Sequence, residues 1–142
     1  MFTFLKDTQK QNRLSEKDIK RIEEKYFIEF PSILKEFYLN YDGNKINLCI
    51  FKVDGYECEV AKIIPLNTSG LTFEKIVDND RADGFISEDL YPIASNRGGD
   101  FYYWNAKNGK VYLVFNDDID NPFFVTEDIE AFFNILITNY NL

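Results

Sequence analysis

The sequence contains no histidine and only two cysteines. Histidine is the side chain that most often serves as a general base near neutral pH, and it is the commonest ligand of transition metals. Without histidine and without a Cys-x-x-Cys pair, the usual zinc ligand set is missing. Neither cysteine has a histidine to activate it, which also removes a cysteine–histidine nucleophile.

The motifs that mark common enzyme sites are missing too. The chain has no phosphate-binding loop, no G-x-G-x-x-G fingerprint and no G-x-S-x-G nucleophile elbow. We interpret the Gly98-Gly99 pair as the geometry of a corner before a strand. Paired carboxylates or a carboxylate-bound divalent ion leave a small hydrolase as an alternative. The absences favour a protein with no catalytic residues, no metal and no cofactor.

Long hydrophobic runs are absent as well. No segment approaches the roughly 18 apolar residues of a membrane helix. The N-terminal stretch MFTFLKDTQKQNR has no apolar core behind its basic residues, unlike a secretory signal peptide. We therefore expect a cytoplasmic protein without membrane contact. Its 142 residues predict one domain over 1–142, with 1–14 as a loosely ordered segment.

Helical patterns lie at both ends of the chain. Ser15 and Asp18 have the spacing of a capping box before an amphipathic helix of about three turns. A second helix is predicted over 32–41, with Pro31 near its first turn and Asp42-Gly43 at its end. Near the C-terminus, the apolar residues of 129–137 recur at i, i+3, i+4, i+7 and i+8, which predicts a core-facing helix.

The Asp54-Gly55 pair predicts a hairpin turn between two strand-like runs, 46–53 and 56–64. If the residues flanking the turn pair with each other, Cys49 and Cys58 share a face but lie diagonally, about 7–8 Å apart at Cα. That separation exceeds the usual disulfide range of about 4.4–6.8 Å. We expect two buried free thiols.

A second hairpin is predicted over 91–115, where an aromatic strand follows the glycine corner and Asn108-Gly109 forms the turn. Alternation places Phe101 and Tyr103 on one face of this strand and Tyr102 and Trp104 on the other. Strands in the middle with helices at the ends predict an α+β fold. We expect a central, mostly antiparallel sheet with two N-terminal helices and a C-terminal helix packed on it.

Residues 66–90 have no clear pattern beyond a short helix-like run from Leu71 to Val77, before Asn79. The stretch 78–84 superficially resembles an EF-hand calcium loop. However, position 5 is an alanine, the required glycine position is an aspartate, and position 12 is not a glutamate. This stretch therefore supports no calcium site.

The net charge of −8 is concentrated in one part of the chain. Residues 74–130 contain five basic and thirteen acidic side chains, which accounts for all of it. A surface of this sign repels nucleic acid and attracts basic partners. A solvated face that only aids solubility is the alternative.

Several segments together resemble the SMI1/KNR4, or SUKH, superfamily. They occur in the family's order: IEEKY at 22–26, Phe30-Pro31-Ser32, Asp42-Gly43, YPIA at 91–94, GGDF at 98–101, GKVY at 109–112 and Phe132-Phe133. Phe30 departs from the leucine usual in the family, and the acidic connector is long. The resemblance implies a SUKH-like fold and a non-enzymatic, protein-binding domain.

Many bacterial members of that family are immunity proteins, which bind and block polymorphic or contact-dependent toxins, often nucleases. The resemblance therefore implies a protein partner, and the acidic charge favours a basic toxin domain and no nucleic acid. A regulatory or scaffold domain that binds an unrelated cellular protein is the alternative. The oligomeric state is left open, since an exposed strand edge can pair.

Charge and expected exposure, rather than any motif, select the candidate contacts. The acidic ones are Asp78, Asp80, Asp83, Glu88, Asp89, Asp117, Asp118 and Asp120. Tyr102 and Trp104 are the candidate aromatic anchors, because aromatic side chains often dominate binding energy at interfaces.

Overall fold

The computed structural model describes residues 1–9 and 14–142. The helices in these residues are α1 (Glu16–Tyr26), α2 (Ser32–Tyr41), α3 (Phe73–Asp83) and α4 (Ile129–Asn139). The strands are β1 (Cys49–Val53), β2 (Tyr56–Val60), β3 (Lys62–Ile63), β4 (Leu90–Ser95), β5 (Phe101–Asn105), β6 (Val111–Val114) and β7 (Phe123–Thr126). This is the expected α+β fold, with antiparallel sheets of two and five strands.

Helix α1 begins at the predicted capping box. The Asp18 backbone N–H donates to the Ser15 hydroxyl over 3.2 Å, and the Ser15 N–H donates to the Asp18 carboxylate over 2.9 Å. These bonds satisfy N–H groups that a helix start leaves without partners. Helix α2 has the predicted bounds, with Pro31 as its N-cap and Asp42 as its C-cap.

The β1–β2 hairpin has the predicted register. Val53 pairs with Tyr56, and Cys49 lies opposite Val60. Asp54 and Gly55 have φ of 49° and 79°, the left-handed pair that a two-residue hairpin turn requires. Both cysteines are free and buried, as expected, and burial raises the pKa of each thiol to about 11.

The prediction of one continuous strand over 56–64 is wrong. At Ala61 the backbone N–H donates to the Ser95 carbonyl over 2.9 Å, and the chain leaves β1 to pair with β4. Strand β3 thereby becomes one edge of a sheet ordered β3-β4-β5-β6-β7. Strand β7, which the sequence did not predict, forms the other edge by pairing with β6.

Helix α3 is longer than the predicted run over 71–77. Thr72 caps its start by accepting the Lys75 N–H, and Gly84 ends it in a left-handed conformation with φ of 75°. The helix continues through polar residues because only one side of it is buried, by Phe73, Ile76 and Val77. The stretch that resembled a calcium loop therefore lies mostly on a helix.

The main core fills the space between the helices and one face of the larger sheet. Phe2, Phe4 and Leu5 belong to it, and the Phe2 ring meets the Phe37 ring edge-on at 5.3 Å. These three side chains of the segment expected to be loosely ordered, 1–14, are therefore buried in the core. The part of that expectation that concerns residues 10–13 lies outside the described residues. No helix in the described ranges is long and apolar enough to cross a membrane.

Candidate partner-binding site

Strand β5 sends its side chains alternately to the two faces of the larger sheet, as predicted. Tyr102 and Trp104 enter the main core and are 0% and 4% exposed. The Tyr102 ring lies 5.5 Å from that of Phe132, and the Trp104 ring lies 6.1 Å from that of Phe30. Both were predicted as aromatic anchors, but neither is exposed at the surface as an anchor would need to be, because these two side chains face the helices.

The other face of the sheet, here called the second face, has a smaller apolar cluster. Leu90, Tyr103 and Val114 are buried there, with Ile86 and Ile119 packed against them. A pocket of about 180 Å³ opens over this cluster, between the end of α3 and the loop at 115–122. Its lining residues are Asp80, Asp83, Phe85, Ile86, Phe101, Tyr103, Val114, Asn116 and Ile119.

Two of the predicted acidic contacts, Asp80 and Asp83, line this second-face pocket. Asp80 is half-buried, and its carboxylate accepts a hydrogen bond of 2.8 Å from the Tyr103 hydroxyl. Burial raises the pKa of Asp80 above its usual range, although the Tyr103 hydroxyl and Arg81 act in the opposite direction. The Asp80 carboxylate is thus only partly compensated where it faces the pocket.

Three more predicted contacts occupy the loop on the opposite side of the pocket. Asp117, Asp118 and Asp120 are exposed and flank Ile119, which lines the pocket. The Asp118 carboxylate accepts a 2.7 Å hydrogen bond from the Asn121 side chain and so helps to hold the turn. The two most acidic segments of the chain therefore meet at one pocket.

The remaining acidic candidates lie outside the pocket lining. The Asp78 carboxylate faces α1, where it accepts a 2.9 Å hydrogen bond from the Tyr26 hydroxyl and lies 3.7 Å from the Lys25 ammonium. Glu88 and Asp89 are exposed in the segment before β4. The sequence prediction thus combined acidic residues at the second-face pocket with acidic residues that lie elsewhere.

Phe85 is the functional candidate that sequence reasoning missed. Its side chain is 71% exposed at the rim of the pocket. Gly84 ends α3 in the left-handed conformation and turns the chain so that Phe85 and Ile86 reach the second face. The signal was present as an apolar pair directly after Asp83-Gly84, but burial in a core explains such a pair equally well from sequence alone.

The arrangement combines an apolar floor, an exposed aromatic ring and an acidic rim. Interfaces between proteins have this organisation, with an apolar centre and a polar surround. A lysine or arginine side chain fits it well, because its aliphatic stem packs on apolar groups while its charge meets carboxylates. Among the described residues, no group of three or more His, Cys, Asp or Glu side chains is placed to hold a metal ion.

Comparison with known proteins identifies the family. A family model described as SMI1 / KNR4 family (SUKH-1) matches residues 13–135. The chain belongs to this family. The SUKH-1 match begins before α1 and ends within α4, so it includes the second-face pocket. Comparison with curated proteins found no match.

A solved structure has the same fold as this SUKH-1 chain. It is described as the crystal structure of a protein from Pseudomonas syringae pv. tomato, and it is 21% identical with a TM-score of 0.50. The match covers 73% of this chain and 69% of the other. At this identity the likeness concerns the fold alone.

Proposed function

We propose that this protein is a cytoplasmic, non-enzymatic immunity protein. It neutralises a cognate polymorphic or contact-dependent bacterial toxin by binding the toxin domain and covering its active surface. Two considerations support the proposal. The chain belongs to the SUKH-1 family, and the resemblance to its bacterial members implies such a role. In addition, its acidic segments converge on one surface with an apolar centre.

Charge favours a basic partner. Asp117 and Asp120 are exposed beside the lining residue Ile119, while Asp80 and Asp83 line the pocket itself. Acidic surfaces of this kind accelerate encounter with a basic protein, and the acceleration weakens as salt is added. Nuclease toxins must bind phosphates and therefore carry basic surfaces, which makes them a suitable partner class.

Pocket size favours a protein side chain over a free small molecule. Small-molecule sites usually enclose about 300–1,000 Å³, and this pocket has about 180 Å³. A single long side chain from a protein surface is the better occupant. Phe85 at the rim then contributes apolar contact outside the pocket.

The observation that carries the proposal is the meeting of Asp80 and Asp83 with the Ile119 loop around an apolar floor. The test begins with the neighbouring genes, among which we expect a toxin gene with a variable C-terminal domain, and uses that toxin domain. We expect the two proteins to co-purify and the immunity protein to protect cells that express the toxin domain. Absence of both binding and protection would contradict the proposal. If a housekeeping protein binds the same surface instead, the chain is a regulatory or scaffold domain.

A further inference from the structure

A second cleft, of about 420 Å³, lies at the β3 edge of the larger sheet. Lys6, Lys45 and Lys62 line it and are exposed, and we call it the lysine cleft. Apolar residues form much of the remaining lining, notably Ile46, Ile63 and Leu71.

The cleft arises where the β1–β2 hairpin comes apart. Cys49 and Val60 form its last pair. On one side, Ile46 bridges to Leu5, and the Lys6 N–H donates to the Lys45 carbonyl over 3.0 Å. On the other side the chain turns away into β3 and pairs with β4. The two walls are therefore fixed by separate backbone pairings, which hold the gap open.

The lysines of the cleft have no salt-bridge partner within residues 1–9 and 14–142. By contrast, Arg21, Lys25, Lys35 and Arg97 all form salt bridges with carboxylates. Three like charges around one cleft repel each other, and an anion between them relieves the repulsion. On a chain with a net charge of −8, such a concentration of free positive charge stands out.

We propose that the lysine cleft binds a small organic anion with two or more phosphate or carboxylate groups. The anionic groups contact the ammonium groups of Lys6, Lys45 and Lys62, and the apolar part of the ligand packs against Ile46, Ile63 and Leu71. The volume falls within the usual range of small-molecule sites, about 300–1,000 Å³, unlike that of the second-face pocket. The proposal is independent of the proposed toxin binding.

The test titrates the purified protein with inorganic pyrophosphate and, separately, with citrate at low ionic strength. Binding is followed by calorimetry and by the rise in melting temperature that a ligand of the native state produces. The cleft variant is Lys6→Gln/Lys45→Gln/Lys62→Gln. The matched control is Lys17→Gln/Lys20→Gln/Lys107→Gln, which removes the same charge from exposed positions outside the cleft.

We expect the wild type and the control to bind at least one anion, and the cleft variant to bind it at least about tenfold more weakly. Without anion, the cleft variant should melt no lower than the control, because both carry the same net charge and only the cleft variant loses the repulsion between the three lysines. If the triple variant does not fold, the single variant Lys62→Gln is titrated in its place. The two probes distinguish phosphate from carboxylate chemistry. The proposal would be overturned if both triple variants bound the anion with equal affinity, or if neither anion bound up to about 10 mM. Binding of polyglutamate but of neither small anion would also overturn it.

Discussion

The two faces of the larger sheet are built by the same strands but have different surroundings. On one face, Tyr102 and Trp104 are enclosed by aromatic rings from α4 and from the segment between α1 and α2. On the second face, Tyr103 belongs to a smaller cluster with Leu90 and Val114, and its hydroxyl donates to the half-buried Asp80 carboxylate. One alternating strand thus supplies part of the aromatic core on the helix-covered face and the floor of an open pocket on the second face.

The largest expected difference between the faces is in stability. Phe132→Ala removes a fully buried ring from the helix-covered face and should lower the free energy of unfolding by about 3–5 kcal/mol. Ile119→Ala on the second face removes a partly exposed side chain, and the loss should be about 1 kcal/mol or less. Urea unfolding of both variants measures the two losses. Equal losses would contradict the contrast between the faces.

Partner binding should show the reverse order. Phe85→Ala leaves the fold intact because the ring is 71% exposed. An interfacial aromatic anchor contributes about 2 kcal/mol or more, so the toxin domain should bind roughly thirtyfold more weakly, mainly through faster dissociation. Surface plasmon resonance measures both rates. The control is Phe124→Ala, which removes another exposed ring, 38% exposed and outside the pocket lining; a similar loss in that variant would argue against a specific role for Phe85.

Much of the fold could be predicted from local patterns, and the exceptions have physical causes. The Ser15 capping box and the Asp54-Gly55 turn are short-range signals, and both form as expected. The break at Ala61 depends on pairing with Ser95, far along the chain, so no local pattern reveals it.

The candidate site was predicted less completely. Of the acidic residues chosen by charge, Asp80 and Asp83 line the pocket and the 117–120 loop lies beside it, while their role in partner binding stays a prediction. Alternation showed that Tyr102 and Trp104 share a face, but it could not show which face the helices cover. Phe85 could not be distinguished from a core residue, because its exposure depends on how the chain leaves α3.

Electrostatic steering should depend on the rim of the second face. Asp117→Lys/Asp120→Lys reverses two exposed charges and keeps Asp118, whose carboxylate holds the turn. We expect the association rate with a basic toxin domain to fall by about tenfold at low salt, and the difference from the wild type to shrink at higher salt. Stopped-flow kinetics at several ionic strengths measures this. The control Glu24→Lys/Glu57→Lys changes the net charge equally at exposed positions away from the pocket. If it slows association as much, the rate depends on net charge and not on the position of Asp117 and Asp120.

The smallest expected effect concerns Asp80. Its pKa is raised by burial, so the folded protein keeps this proton to higher pH than the unfolded chain does. The stability contributed by this group is complete below the ordinary aspartate pKa of about 3.9 and is lost as pH rises through the folded value.

Asp80→Asn removes that dependence and keeps an acceptor for the Tyr103 hydroxyl. At pH 7 the variant should be more stable than the wild type by less than about 1 kcal/mol, because the half-exposed carboxylate is partly screened by solvent. It should also bind the basic partner more weakly. Thermal unfolding across pH 3–7 measures the difference in stability. If the variant is less stable than the wild type at pH 7, the charged Asp80 side chain does not destabilise the fold, and this prediction is contradicted.

Amide hydrogen exchange, with and without the cognate toxin domain, shows where a partner covers the protein. Binding at the second-face pocket predicts new protection in residues 80–89 and 115–121, the segments on its two sides, and little change in α1 or α2. Protection confined to the helices, or to the lysine cleft, with residues 80–89 and 115–121 unchanged, would contradict it.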